Sequence, residues 1–273
     1  MKNEKYNDKE TKMIKKETYL TCSDGNIFEG MTSISAIIQK NEEKATDARK
    51  IRRILFDSAK ADSKQRELCF LKRKAKEHGF SLEFSTHEEI DKYSTGNTHG
   101  GIIAFCEERE IPDLKQNAEC IKKNGVYILL DGIEDPYNFG YALRSIYASG
   151  ADGVILSRRN WMSVAGIVAK SSAGTSELID MFLADHEEAF DVMKTLGYRI
   201  VAAGIRDSVS MYEADFQKPL LMIVGGEKRG ISSSLLSKAD QIVRIEYGRS
   251  FRGSLSAASA ATILAYEIYR QNM

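Results

Sequence analysis

Cysteine is scarce and dispersed. Cys22, Cys69, Cys106 and Cys120 are the whole complement in 273 residues, and no two stand in a C-x-x-C spacing. That excludes the paired-thiol signatures of structural zinc and of a disulfide framework, and points to reduced thiols in a cytosol. No apolar run approaches the roughly 18 residues of a membrane span. The opening MKNEKYNDKETKMIKKE is too charged for a signal-peptide core, so residues 1–18 are expected to be a solvated lead-in. Net charge is lacking as well: 39 basic residues balance 39 acidic ones, which neither favours nor excludes a polyanionic partner. Internal repeats and low-complexity tracts are absent. The expectation is a cytoplasmic protein with no membrane span and no metal centre.

What is present is enough for a sizeable core. Hydrophobic residues make up 42% and charged residues 29%, and the length suggests two domains. Residues 19–108 read as a small α/β domain. Helix spacing is seen over residues 31–38, through Met31, Ile34, Ile37 and Ile38, and over 65–78, through Leu68, Leu71 and Ala75, with Gly79 as a stop. Strands are expected over 52–59, 80–85 and 101–106, and a short helix over 87–93. Residues 109–124 are polar and read as a linker. Residues 125–273 alternate strand and helix repeatedly, which predicts a mostly parallel sheet flanked by helices. Its expected strands are 126–130, 154–156, 178–182, 198–203, 220–224 and 241–245. Its expected helices are 138–149, 161–169, 187–196, 232–237 and 254–270.

Charge is unevenly distributed. Between Lys44 and Lys76 there are twelve basic residues against four acidic ones, a net of +8, and residues 83–119 then turn acidic. A basic stripe on a neutral chain is the footprint of phosphate contacts, although a solvated helix face gives the same pattern. The His99-Gly100-Gly101 stretch precedes a strand and reads either as a contact loop or as a plain tight turn.

Three stretches of the second domain carry chemistry. The first is VYILLDGIEDPYNFGYALRSIYASG, Val126 to Gly150: a buried strand, an acidic turn, then a helix bearing Arg144. A polar loop between strand and helix is where open α/β sheets place ligands. The second is the strand from Leu220 running into GGEKRG, where glycines let a ligand approach the backbone. It lacks the G-x-G-x-x-G order of dinucleotide sites. The third runs from Ile245 through a glycine-bearing loop to Ser254-Leu255-Ser256 at a helix start, where Ser254 and Ser256 are candidate caps. Asn138 is a candidate cap for the first helix.

Together these stretches resemble the SpoU/TrmH family of RNA ribose methyltransferases, of the SPOUT class. The pattern D-x-x-x-D-P-x-N-x-G-x-x-x-R is matched by Asp131, Asp135, Pro136, Asn138, Gly140 and Arg144. G-x-E-x-x-G-I/L is matched by Gly225, Glu227, Gly230 and Ile231. The final motif is matched by Ile245, Ser254 and Leu255, but Glu246 stands where proline is usual and Ser256 where asparagine is usual. Lys170-Ser-Ser-Ala-Gly174 is similar to the family's S-A-G stretch. The likeness covers residues 125–270, and residues 19–108 are similar to the ribosomal-protein-like RNA-binding domain that many members carry first.

The resemblance implies an α/β domain whose carboxyl-terminal part forms a trefoil knot, and a homodimer. It implies S-adenosylmethionine held by Gly225, Gly230, Ile245 and Leu255, and methyl transfer to a ribose 2′-oxygen of ribosomal or transfer RNA. Arg144, Asn138, Glu227 and Ser254 would be the catalytic set. A guanidinium stays protonated, so Arg144 suits phosphate binding and stabilisation of alkoxide charge rather than general-base work. Two alternatives stand beside this: an RNA-binding relative with weakened catalysis, motivated by Glu246 and Ser256, and a SPOUT enzyme that methylates a base.

Overall fold

The structure is a computed structural model and describes residues 26–94, 98–158, 164–226, 230–250 and 252–273. The expected lead-in over residues 1–18, the start of the first domain before Asn26, and both Trp161 and Glu227 lie outside the described residues. The chain divides into two compact units, Met1–Arg109 and Glu110–Met273. Among the described residues no helix is long and apolar enough to cross a membrane.

The first unit runs β1 (Asn26–Glu29), α1 (Gly30–Glu42), β2 (Ile51–Asp57), α2 (Gln65–His78), β3 (Ser81–Ser85), α3 (His87–Asp91) and β4 (Ile102–Cys106). Its sheet has the order β1-β4-β2-β3, and only the β2–β3 pair is parallel. The four-residue β1 has no counterpart in the sequence reading, because so short a strand carries no period to detect. α2 buries Leu68 and Leu71 and ends at Gly79, whose φ of 78° is the left-handed geometry of a helix stop.

The basic run of this unit is not one stripe. Arg49 is buried, donates to the Glu107 carbonyl at 2.8 Å and lies 4.6 Å over the Phe28 ring. Lys74 is buried too, between the carboxylates of Glu42 and Glu77. The hydrogen bond to Glu42, then the one to Glu77, holds its ammonium above the ordinary lysine range. The remaining exposed cations are divided among a loop, a strand and one helix face.

The second unit runs β5 (Val126–Leu130), α4 (Pro136–Ala148), β6 (Gly153–Leu156), α5 (Ala165–Ser171), α6 (Thr175–Leu178), β7 (Asp180–Leu183), α7 (His186–Thr195), β8 (Arg199–Ala203), β9 (Val209–Ser210), β10 (Leu220–Val224), α8 (Ser233–Leu236), β11 (Gln241–Arg244) and α9 (Ala257–Gln271). The sheet order is β7-β6-β5-β10-β8-β11-β9, and every pairing is parallel. Continuous apolar strands are what a sheet covered on both faces requires. β5 shows the consequence. Val126, Ile128 and Leu130 face a core built with Phe139, Leu143 and Ile146 of α4 and Leu264 and Ile268 of α9. Tyr127 and Leu129 face the opposite core, with Ala189, Phe190 and Met193 of α7. The strand expected over 178–182 is instead the end of α6 followed by β7, since Gly174 (φ 85°) opens a short helix there. Ahead of β5, the Leu114 N–H donates to Leu183 and the Leu183 N–H to Pro112, which covers the free edge of β7.

At the amino edge of the sheet two tyrosines lie almost wholly buried, with rings 5.8 Å apart and tilted by 68°. The Tyr127 hydroxyl accepts the Lys122 N–H at 3.2 Å, and that of Tyr198 accepts the Gly125 N–H at 3.2 Å. Burial pushes the Tyr127 phenol up to about 12, and that of Tyr198 upward as well. A raised folded-state value means the contribution is fully present below the unfolded value of about 10 and is lost as pH rises through the folded value. Stability in denaturant titrations is therefore expected to fall between about pH 10 and about pH 12. Tyr127→Phe should flatten that decline, and an unchanged alkaline slope would contradict the assignment.

Candidate active site

The first motif is assembled by a cap. The Asp135 carboxylate accepts the N–H groups of Tyr137 and Asn138, each at 2.8 Å, and Pro136 occupies the first helical turn of α4, where no N–H is needed. The cap is thus Asp135 and not Asn138. Asn138 is released for other work and sits half-buried in the first turn. Arg144 lies further along, on the exposed face shared with Tyr137 and Tyr141. Among the described residues neither the Asn138 amide nor the Arg144 guanidinium has a side-chain hydrogen bond or ion pair.

Gly140 serves packing. A Cβ at that position would stand 1.9 Å from Ser171 Oγ, so α4 and α5 approach closely only because the side chain is missing. The Ser-Ala-Gly stretch that follows is a turn. Ala173 (φ 54°) and Gly174 (φ 85°) are left-handed, and the Gly174 N–H donates to the Ala169 carbonyl at 2.7 Å.

The first and second motifs meet backbone to backbone. β5 and β10 are neighbours over five paired residues, Val126↔Leu220 to Leu130↔Val224, and the ladder extends to Asp131, whose N–H donates to Val224. A Cβ on Gly132 (φ 67°) would lie 2.8 Å from the Gly226 Cα, and one on Gly226 would lie 2.6 Å from the Gly132 Cα. Gly225 is enclosed by the loop's own return, since its Cβ would meet Gly230 at 2.6 Å and Ile231 at 2.7 Å. The Gly230 N–H closes that loop on the Gly226 carbonyl at 3.0 Å, while beside Gly230 itself the space is open. Glu227 falls within the loop and outside the described residues.

The third motif leaves the same edge of the sheet after β11. Ile245 packs against the core. Glu246 pairs with Arg244 at 2.7 Å, an exposed contact of at most about 1 kcal/mol. Ser256 caps α9, its hydroxyl accepting the Ser259 N–H at 3.1 Å, whereas Ser254 is exposed and caps no helix among the described residues. Asparagine caps a helix as well as serine does, so Ser256 preserves the local structure that asparagine would give. The Leu255 N–H donates to the Tyr247 hydroxyl at 3.2 Å, tying the two ends of the loop together.

One residue near this edge has no motif to announce it. His186, the first residue of α7, places Nε2 at 3.3 Å from Asp131 Oδ2. That nitrogen is buried and makes no aligned hydrogen bond among the described residues. Only the return of the chain after β7 reveals the pairing.

The first unit holds a separate titratable group. His87 Nδ1 lies 3.1 Å from Asp57, and His99 Nε2 lies 2.9 Å from Asp91. Geometrically, His87, Asp91 and His99 are close enough to share a cation. The hydrogen bonds oppose it: His99 Nδ1 accepts the Gly101 N–H at 3.0 Å, which assigns the ring proton to Nε2, the atom a metal would need. The His99-Gly100-Gly101 stretch is a turn, with both glycines at positive φ.

The glycine contact gives a direct test. Gly132→Ala or Gly226→Ala should lower unfolding free energy by about 1–3 kcal/mol through overpacking. Either should also weaken any ligand of this edge more than Gly150→Ala does, since Gly150 (φ 79°) carries left-handed strain of its own but has no atom for a Cβ to meet within 4 Å and lies before β6, at the opposite edge of the sheet. Equal effects at the three positions would refute the contact's role.

Residues 125–266 match the SpoU rRNA methylase family. A Staphylococcus saprophyticus protein named for the TrmH family of tRNA/rRNA methyltransferases is 32% identical over 191 residues, covering 70% of this chain and 73% of its own. The 23S rRNA (guanosine-2′-O-)-methyltransferase RlmB of Shewanella oneidensis is 27% identical, covering 73% of this chain and 82% of its own. In fold, an AdoMet-bound rRNA methyltransferase from Sinorhizobium meliloti superposes with a TM-score of 0.75 over 97% of this chain and 94% of that one, at 20% identity. The chain belongs to the SpoU/TrmH family of S-adenosylmethionine-dependent RNA methyltransferases.

Proposed function

We propose that this protein transfers a methyl group from S-adenosylmethionine to a ribose 2′-hydroxyl of structured RNA, ribosomal or transfer. The observation that carries the reading is the junction of the first two motif loops at Gly132 and Gly226, at the carboxyl edge of a fully parallel sheet. That edge is where such sheets bind ligands.

The residues present fit the cofactor. Gly225 and Gly230 form a tight loop with open space beside Gly230, Ile245 offers an apolar wall, and the Leu255 amide is a donor whose partner, a tyrosine hydroxyl, can be displaced. When bound, the sulfonium supplies an electrophilic methyl group. The chain's own task is then to hold a hydroxyl in line and to meet the charge that develops on its oxygen. Holding two reactants in place removes a large entropic barrier. Arg144, a guanidinium with no ion pair among the described residues, binds the adjacent phosphate and stabilises the alkoxide. Asn138 orients the ribose from the first turn of α4. Glu227 and Ser254 belong to the same set by their place in the family motifs, Glu227 to orient the ribose or Arg144 and Ser254 to bond the hydroxyl or the arginine. On this reading residues 19–108 bind the RNA and the carboxyl-terminal segment carries the family's trefoil knot.

The test uses radiolabelled S-adenosylmethionine with ribosomal and transfer RNA in separate reactions, followed by nucleoside digestion. Label is expected on a ribose. Arg144→Ala should lower kcat by about 10²–10³-fold, the scale for removing one charge-stabilising donor, while keeping most of the cofactor affinity. Full turnover in that variant would remove Arg144 from the mechanism. Label on a base would favour the base-methylating alternative. Cofactor and RNA binding without transfer would favour the RNA-binding relative.

The working form on this reading is a homodimer. Tyr137, Tyr141 and Tyr147 on α4 and Tyr266 and Tyr269 on α9 are all substantially exposed, and α9 packs along α4 through the shared core. So many exposed aromatics on adjoining helices suit a second copy, because tyrosine combines apolar area with a polar tip. Sedimentation should give a dimer, and Tyr141→Glu with Tyr269→Glu should give a folded monomer. A monomeric unmodified protein would refute this.

A further inference from the structure

Cations are the commonest residues on the exposed face of α2. Arg66, Lys72, Arg73 and Lys76 point to solvent, together with Gln65, Cys69, Glu77 and His78, while Leu68, Leu71 and Lys74 point inward. The nearby carboxylates are already engaged. Glu77 is bonded by Lys74 at 2.6 Å and lies 3.7 Å from Arg73, and Glu67 lies 3.9 Å from Lys64. Among the described residues, Arg66, Lys72 and Lys76 have no ion pair. From Arg66 to Lys76 the helix rises about 15 Å, enough to follow more than one phosphate of a strand.

An aromatic ring stands beside this row. Phe84 on the edge strand β3 is 51% exposed, an unusual position for phenylalanine on a strand next to a packed helix. Its ring is steadied from beneath by the fully buried Phe56, edge-on at 6.0 Å and 72°. Lys72 Nζ lies over the Phe84 ring, 5.8 Å from its centroid, so a base that stacks there displaces a long cation–π contact and frees the ammonium for a phosphate. A supported, half-exposed ring beside a helix that carries a row of cations is the combination that holds unpaired nucleotides: the base stacks and the phosphates meet the charges. A duplex offers phosphates but no free base face. An acidic peptide would use the cations and leave the ring idle.

We infer that Phe84 is a stacking platform for an unpaired nucleotide of the RNA substrate, with Arg66, Lys72 and Lys76 binding the phosphates on either side of it. This deepens the methyltransferase reading and rests on it. It places one contact of the substrate on the first unit, apart from the residues assigned to transfer.

The experiment measures anisotropy of a fluorescent oligouridine and of a duplex of equal length with the full chain, alongside methyl transfer to ribosomal and transfer RNA. Phe84→Ala should weaken oligouridine binding by about 5–150-fold, the range for loss of one stacked base. Phe84→Trp should retain binding. Neither should alter S-adenosylmethionine affinity; Phe84→Ala should raise KM for RNA, Phe84→Trp should leave it near the unmodified value, and kcat should stay in place in both. Lys72→Gln should lower the salt slope by about 0.7, the single-strand value for one phosphate contact. Oligouridine affinity in Phe84→Ala equal to wild type overturns the platform, as does equally tight competition by polyglutamate, and transfer to RNA in those samples leaves the methyltransferase reading standing. No label in any RNA from the unmodified protein fails that reading instead.

Discussion

The second unit depends on the pairing of β5 with β10. These strands are about ninety positions apart in the chain, yet they lie in register at the centre of the sheet with every side chain of both buried. Each strand is apolar without interruption because each must satisfy a core on both faces. Their union delivers two loops to one edge, and the loops touch through Gly132 and Gly226, where neither could carry a side chain. Glycine in these motifs therefore answers first to the approach of another backbone. Room for a ligand follows from that.

Around this junction, capping residues decide which groups are free to act. Asp135 takes the N–H groups at the start of α4, so the Asn138 side chain is not consumed by the helix it begins. Ser256 does the same for α9 and leaves Ser254 exposed. The same logic weighs on the departures in the third motif. Ser256 fills a capping role that asparagine also fills, and Glu246 is held in an exposed pair with Arg244. At Ser256 the helix start is therefore capped as asparagine would cap it.

The first unit shows how misleading a linear charge count can be. Twelve basic residues between Lys44 and Lys76 read as one stripe in sequence. In three dimensions Arg49 and Lys74 turn inward, each matched by a carbonyl, a ring or carboxylates, because a buried cation without partners is too costly to keep. What remains outward on α2 is a shorter row, and its meaning comes from Phe84, which enters from another strand.

The sequence by itself determined the division into strands and helices wherever a period or an unbroken apolar run was long enough to read. It determined the motif order that marks the family, and the Gly79 stop of α2. Very short elements such as β1, α6 and β9 were not legible, since two to four residues carry no periodicity. The identity of the cap on α4 was not legible either, because Asp135 and Asn138 are equally good caps and only the backbone path chooses between them. Tertiary structure alone decided which glycines meet, that His186 reaches Asp131, and which cations are buried. All three are contacts between residues distant in the chain, and a distance of that kind is set by how the elements stack, which no local pattern records.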